Sequence, residues 1–122
     1  MKAMVVDDAR SMRLVVGNWL KDCEFDVIEA QNGRDAWQIF EASGPVDLAV
    51  VDWNMPLMTG HELIVKLRAD AKFKSMKILM ISTEGSEEQI NRALNSGANA
   101  YLAKPVTEDA LREKLRLLGF PG

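Results

Sequence analysis

The sequence is poor in several residues on which whole classes of function depend. It has one cysteine, Cys23, which excludes a disulfide framework and a cysteine-based zinc site. It has one histidine, His61, so no histidine pair is available to favour zinc or copper. Positive charge is not in excess: 15 Lys and Arg against 18 Asp and Glu give a net charge of −3. That balance argues against a nucleic-acid module, which carries a basic patch. No apolar run approaches the ~18 residues of a membrane span. The opening run, Met1 to Val6, is too short for a signal peptide and meets Asp7 and Asp8 at once. There is no low-complexity segment, long linker or internal repeat. The expectation is one soluble, cytoplasmic domain over residues 1–122, with no nucleic-acid partner and no membrane insertion. A chain of this size buries roughly two thirds of its unfolded surface and needs no structural metal. Its length excludes a two-domain enzyme and a sensing unit with its own large output domain.

What is present is a regular alternation of two hydrophobic periods. Short apolar runs occur at 3–6, 27–30, 48–51, 78–81 and 100–103. Between them lie stripes at helical spacing: Met12, Val15, Val16, Trp19 and Leu20; Ala36, Ile39 and Phe40; Leu63, Ile64 and Leu67; Ile90, Ala93 and Leu94; Ala110, Leu111, Leu115 and Leu118. Ser86-Glu87-Glu88-Gln89 has the form of a capping box opening the fourth helix, and Gly97 stands where that helix ends. Thr107, with Glu108 and Asp109, can cap the fifth. The third and fourth strands are apolar throughout, as in a parallel sheet covered on both faces. Right-handed crossovers then give an α/β fold, a doubly wound five-stranded parallel sheet of (βα)5 form.

In such sheets ligands bind beyond the carboxyl ends of the strands. Asp7 and Asp8 follow the first strand, Asp52 the third, Ser82 and Thr83 the fourth, and Lys104 with Pro105 the fifth. Asp7, Asp8 and Asp52 crowd one edge, where like charges are neutralised by a proton or a cation. A hard divalent cation with oxygen ligands suits them; Mg2+ takes one or two carboxylates, keeps several waters and shares a phosphate. Lys104 adds a mobile positive charge, and Thr83 a hydroxyl that can donate to a phosphoryl oxygen. A carboxylate beside a metal, a lysine and a hydroxyl is a phosphoryl-acceptor site.

Three other readings fail on the residues. An EF-hand loop from Asp52 puts Pro56 and Leu57 where a ligand and a glycine are needed. In a flavin mononucleotide site, Asp7 and Asp8 would repel the phosphate. An aspartyl-phosphate phosphatase wants an acid two residues after its acceptor, where Asn54 stands.

The Asp7-Asp8 pair, the segment from Asp52 through Asn54 and Pro56 to Gly60, Ser82-Thr83 and Lys104-Pro105 together resemble the receiver domain of two-component response regulators. The resemblance covers essentially the whole chain. The Trp53–Pro56 stretch, with Tyr101 three residues before Lys104, is most similar to the family's stand-alone chemotaxis regulators.

The resemblance implies a flavodoxin-like sheet of strand order 2-1-3-4-5. It makes Asp52 the phospho-acceptor. Asp8 binds Mg2+ directly, for which Mn2+ can substitute. Asp7 helps through water, and the backbone carbonyl of Asn54 is a further ligand. Lys104 contacts the phosphoryl group, and its bond to Pro105 is commonly cis. Thr83 and Tyr101 act as switch residues. The donor is a histidine kinase. The signal leaves through the fourth helix, fifth strand and fifth helix towards a downstream target, such as a flagellar motor switch protein, and a phosphatase resets it. The chain acts as a monomer, and it catalyses its own phosphorylation and slow hydrolysis without being a turnover enzyme. A phosphorelay intermediate and a phosphorylation-independent binding module are the alternative readings. Val106, Glu84 and Gly85 depart from common family residues and bear on kinetics and partner choice. His61 is expected to be exposed, and Cys23 to be a small buried hydrophobe.

Overall fold

The computed structural model describes residues 1–122. Five strands, β1 (Lys2–Val6), β2 (Asp26–Ala30), β3 (Leu48–Asp52), β4 (Lys77–Ser82) and β5 (Ala100–Ala103), pair in parallel as one sheet of order β2-β1-β3-β4-β5. The helices are α1 (Arg10–Asp22), α2 (Gly33–Ser43), α3 (Gly60–Arg68), α4 (Glu87–Asn95) and α5 (Glu108–Leu117), and a 3-10 turn at Ala71–Phe73 precedes β4. The expected doubly wound (βα)5 arrangement and strand order are therefore present.

The period-2 alternation of the strands divides the core into two. Ala3, Val5, Leu48, Val50, Leu79 and Ile81 pack with Val16 and Leu20 of α1 and Leu111 and Leu115 of α5. Their alternates Met4, Val6, Ala49, Val51, Ile78 and Met80 pack with Phe40 of α2, Leu63, Ile64 and Leu67 of α3 and Ala93 of α4. Burial on both faces explains the unbroken apolar runs of β3 and β4. α4 has the thinnest anchorage, with Ala93 its one fully buried residue. No helix is long and apolar enough to cross a membrane.

Expectations for α1 and α4 need correction. Val15 is 43% exposed and Leu94 of α4 42%, each lying one residue round its helix from a buried neighbour, Val16 and Ala93. Ser86 caps α4 through the Gln89 amide, but the Gln89 side chain turns inward and does not close a capping box. The complete box opens α3: Thr59 Oγ1 accepts from the Glu62 amide, and Glu62 Oε1 accepts from the Thr59 amide.

At the sheet end opposite the helix-α1 and helix-α3 starts, Arg68 acts as a staple. Its guanidinium donates to the carbonyls of Gly97, Phe73, Lys74 and Met76 and to Asn99 Oδ1. Burial lowers its pKa, and carbonyl dipoles rather than carboxylates balance its charge.

Candidate functional site

The strand order reverses between β1 and β3, so the crevice beyond their carboxyl ends is where such sheets bind ligands. Asp7 leaves β1 there, held by its own amide on the Ala30 carbonyl at 3.1 Å. Its carboxylate accepts from the Ala9 amide at 2.9 Å, which fixes the turn into α1. Arg13, one turn into α1, donates to the Asp7 carbonyl at 2.7 Å and to Glu29 at 3.1 Å. Asp52 is the last residue of β3, level with Ile81 on β4. The chain then turns back on itself: the Trp53 amide donates to the Ile81 carbonyl and the Gly60 amide to the Trp53 carbonyl. A Cβ at Gly60 would collide with the Asp52 carbonyl oxygen, so only glycine lets α3 start this close to the end of β3.

The expected side chains converge. Asp7, Asp8 and Asp52 can present oxygens within 4.8 Å of one another, with Asp7 and Asp52 buried and Asp8 exposed. Lys104 Nζ lies 3.2 Å from Asp52 Oδ1 and 3.7 Å from Asp7 Oδ2. The Lys104–Pro105 peptide is cis. Burial pushes the Asp52 carboxyl up to about 6, helped by the charge of Asp7 and opposed by the Lys104 ammonium. Burial also raises Asp7, while the Ala9 amide and Lys104 pull it down. Three carboxylates facing one ammonium leave the cluster short of positive charge. The Asn54 carbonyl accepts no hydrogen bond from the chain. An all-oxygen donor set with unmet negative charge fits a hard divalent cation and not a soft one.

Thr83 is the first residue beyond β4; it is exposed, and its hydroxyl makes no hydrogen bond within the chain. Tyr101 points inward and is buried. Its hydroxyl donates to the Glu84 carbonyl and accepts from Gln89 Nε2 at 3.4 Å. Gln89 Nε2 also donates to Ser82 Oγ at 3.0 Å, which in turn accepts from the Glu84 amide. A polar network thus joins the end of β4, the Thr83 loop, α4 and β5. The Glu84 side chain turns towards Ser86, and its backbone supplies the contacts with this network. Val106 packs on the α1–α5 side of the core. Leu57, exposed and at φ 68°, forms the outer lip of the Asp52 loop.

Sequence reasoning missed Arg13 and the bond that joins Gln89 to Ser82. No spacing rule marks them, because each contact joins a helix to a strand end and not residues of one element. His61 is also corrected: it is half-buried, stacked on Trp53 with centroids 5.2 Å apart, and bonded to Ser96 Oγ at 2.8 Å.

Comparison with known proteins adds the lineage. The response regulator receiver domain family matches residues 3–116. The chain is 41% identical over 119 residues to "Chemotaxis protein CheY1" of Helicobacter pylori, covering 97% of this chain and 96% of that protein. It is 40% identical to "Chemotaxis protein CheY" of Pseudomonas aeruginosa, covering 94% and 93%. The solved structure of the Vibrio cholerae chemotaxis protein CheY4 superposes with TM-score 0.87 at 34% identity, covering 95% of this chain and 96% of that one.

Proposed function

Since the chain belongs to the response regulator receiver domain family, we propose that it is a chemotaxis response regulator, a single receiver unit over residues 1–122 that is phosphorylated on Asp52. The observation that carries this reading is the position of Lys104 Nζ, 3.2 Å from Asp52 Oδ1 beside two further carboxylates.

A carboxylate with a pKa near 6 is ionised at neutral pH and is a competent nucleophile. An Asp52 oxygen attacks phosphorus as the P–N bond of a kinase phosphohistidine breaks. The electron pair leaves with the imidazole nitrogen, which takes up a proton. Asp7, Asp8, Asp52 and the Asn54 carbonyl are the residues that would hold Mg2+, directly or through water, and Mn2+ suits the same donors. When bound, the ion supplies positive charge for the phosphoryl oxygens. Lys104 leaves its ion pair with Asp52 to meet the transferred group. Thr83 has a free hydroxyl to donate to it. Drawing Thr83 inward pulls on Ser82 and Glu84, and so on Tyr101 and Gln89. The α4-β5-α5 face is biased in this way towards its target.

The relatives' names support chemotaxis; in this reading a histidine kinase is the donor, a flagellar motor switch protein the target and a phosphatase the reset. The protein acts in the cytoplasm as a monomeric switch, not as a turnover enzyme. The test is intact mass after incubation with acetyl phosphate and Mg2+, with and without chelator, beside Asp52→Asn. One phosphoryl adduct that needs Mg2+ and vanishes in the variant is expected. No adduct, together with no beryllofluoride response, would overturn the reading in favour of a phosphorylation-independent binding module.

A further inference from the structure

The helix expected to carry the response, α4, is held weakly by its apolar face. Polar contacts hold it near both ends. Near the N-terminal end Gln89 joins it to Ser82 and Tyr101, a network that reaches the Thr83 loop. The other end is tied differently. Ser96 closes α4, and its hydroxyl donates to the Arg92 carbonyl at 2.8 Å. That bond commits its only hydrogen, so Ser96 Oγ accepts from His61 Nε2 at 2.8 Å. His61 sits in the first turn of α3, and its ring lies nearly flat on Trp53, 18° from parallel. Trp53 directly follows Asp52, and its amide and carbonyl fasten the loop to β4 and α3.

We propose that His61 is a positioning residue of the phosphorylation response, coupling the Trp53 segment of the acceptor loop to the C-terminal end of α4. This rests on the phosphorylation reading above. The coupling has a simple mechanical basis. One face of the imidazole is fixed by the indole and one edge by Ser96. A shift of the acceptor loop that moves Trp53 therefore moves the hydrogen-bond donor presented to α4. The helix then senses the acid site at two points: through the Thr83 loop near its start and through His61 at its end. Because His61 donates through Nε2 and stacks through its face, the two contacts separate genetically. His61→Phe keeps a ring on Trp53 and removes the donor; Ser96→Ala removes the acceptor at a partly exposed helix end.

The experiment compares amide hydrogen exchange of residues 93–98 with and without Mg2+ and beryllofluoride, in the wild type and both variants. Intact-mass phosphorylation by acetyl phosphate runs in parallel. Adduct formation is expected within about twofold of wild type in both variants, since neither residue touches Asp52. Free-state exchange at 93–98 is expected to rise about five-fold, as for loss of one ordinary hydrogen bond. The decisive quantity is the change in exchange on loading, which is expected to fall at least threefold in both variants while the Trp53 fluorescence response persists. A purely structural bond would raise exchange equally in both states and leave that change intact, which would overturn the coupling. A wild type that forms no Mg2+-dependent adduct would instead overturn the phosphorylation reading itself.

Discussion

At the scale of single residues, Asp52 combines two demands that oppose each other. It must be buried for aim, and burial holds its pKa near 6, above the ordinary 3.8. Between about pH 4 and 6 the folded state therefore binds more protons than the unfolded state. Its contribution to stability falls as pH rises through that window, and the penalty is complete above it. Asp52→Asn removes the penalty, and Asp7 remains as a partner for Lys104. In chelator, the variant should be more stable than wild type by about 1–3 kcal/mol at pH 7.5. The gap should close near pH 4; urea melts showing the same gap at both pH values would contradict this assignment. Asp8→Ala should weaken Mg2+ binding more than Asp7→Ala, because Asp8 is exposed while Asp7 already spends an oxygen on the Ala9 amide. Titration calorimetry showing equal losses would remove the distinction between direct and water-mediated ligation. The acidic residues and Lys104 were legible in the sequence because strand ends are easy to find and ionisable groups there are conspicuous. The bond between Ser82 and Gln89 was not, because a hydrogen bond between β4 and α4 leaves no periodic trace.

The elements show why local rules succeed for some features and not for others. Apolar periodicity found every strand and helix, since each buries one face or both against a shared sheet. Capping was harder to read. Ser86-Glu87-Glu88-Gln89 has the capping-box form, yet Gln89 gains more from the buried Ser82 hydroxyl than from closing the box in solvent. Thr59 and Glu62, hidden behind a loop of Met, Thr and Gly, close the box that exists. Thr59→Ala should cost about 1 kcal/mol in denaturant melts. Gly60→Ala should cost more, about 2 kcal/mol or above, since the added methyl meets backbone rather than a movable side chain. It should also slow adduct formation, because relief of the clash displaces Asp52. A stable, fully active Gly60→Ala protein would show that the acceptor loop is not braced by α3.

For the whole molecule, the parallel sheet separates two poles. One carries the acidic site, whose residues arrive from β1, β3 and the ends of β4 and β5. The other is tied by Arg68, which gathers carbonyls from the 3-10 turn, the approach to β4 and the α4–β5 connection. Arg68→Met should lower stability by roughly 2–4 kcal/mol by stranding buried acceptors. Where the variant is folded, the rate of phosphorylation should be unchanged, as read by intact mass. A loss of rate at full folding would mean the poles are coupled. Doubly wound topology was legible from the alternation of periods. The Arg68 staple was not, since its acceptors, mostly backbone carbonyls, come together only after folding.

The ion pair between Lys104 and Asp52 has a consequence for the life of the chain. Asp7 and Asp8 leave the ribosome before Asp52, and Lys104 follows after all three. The ammonium that completes the site lies beyond the last strand, and β5 is held to the sheet by β4 alone. A nascent chain, or one clipped before Lys104, can present the acidic cluster but not its counter-charge. The full charge arrangement of the site therefore arrives only with β5, and an unfinished copy lacks the cation that faces Asp52.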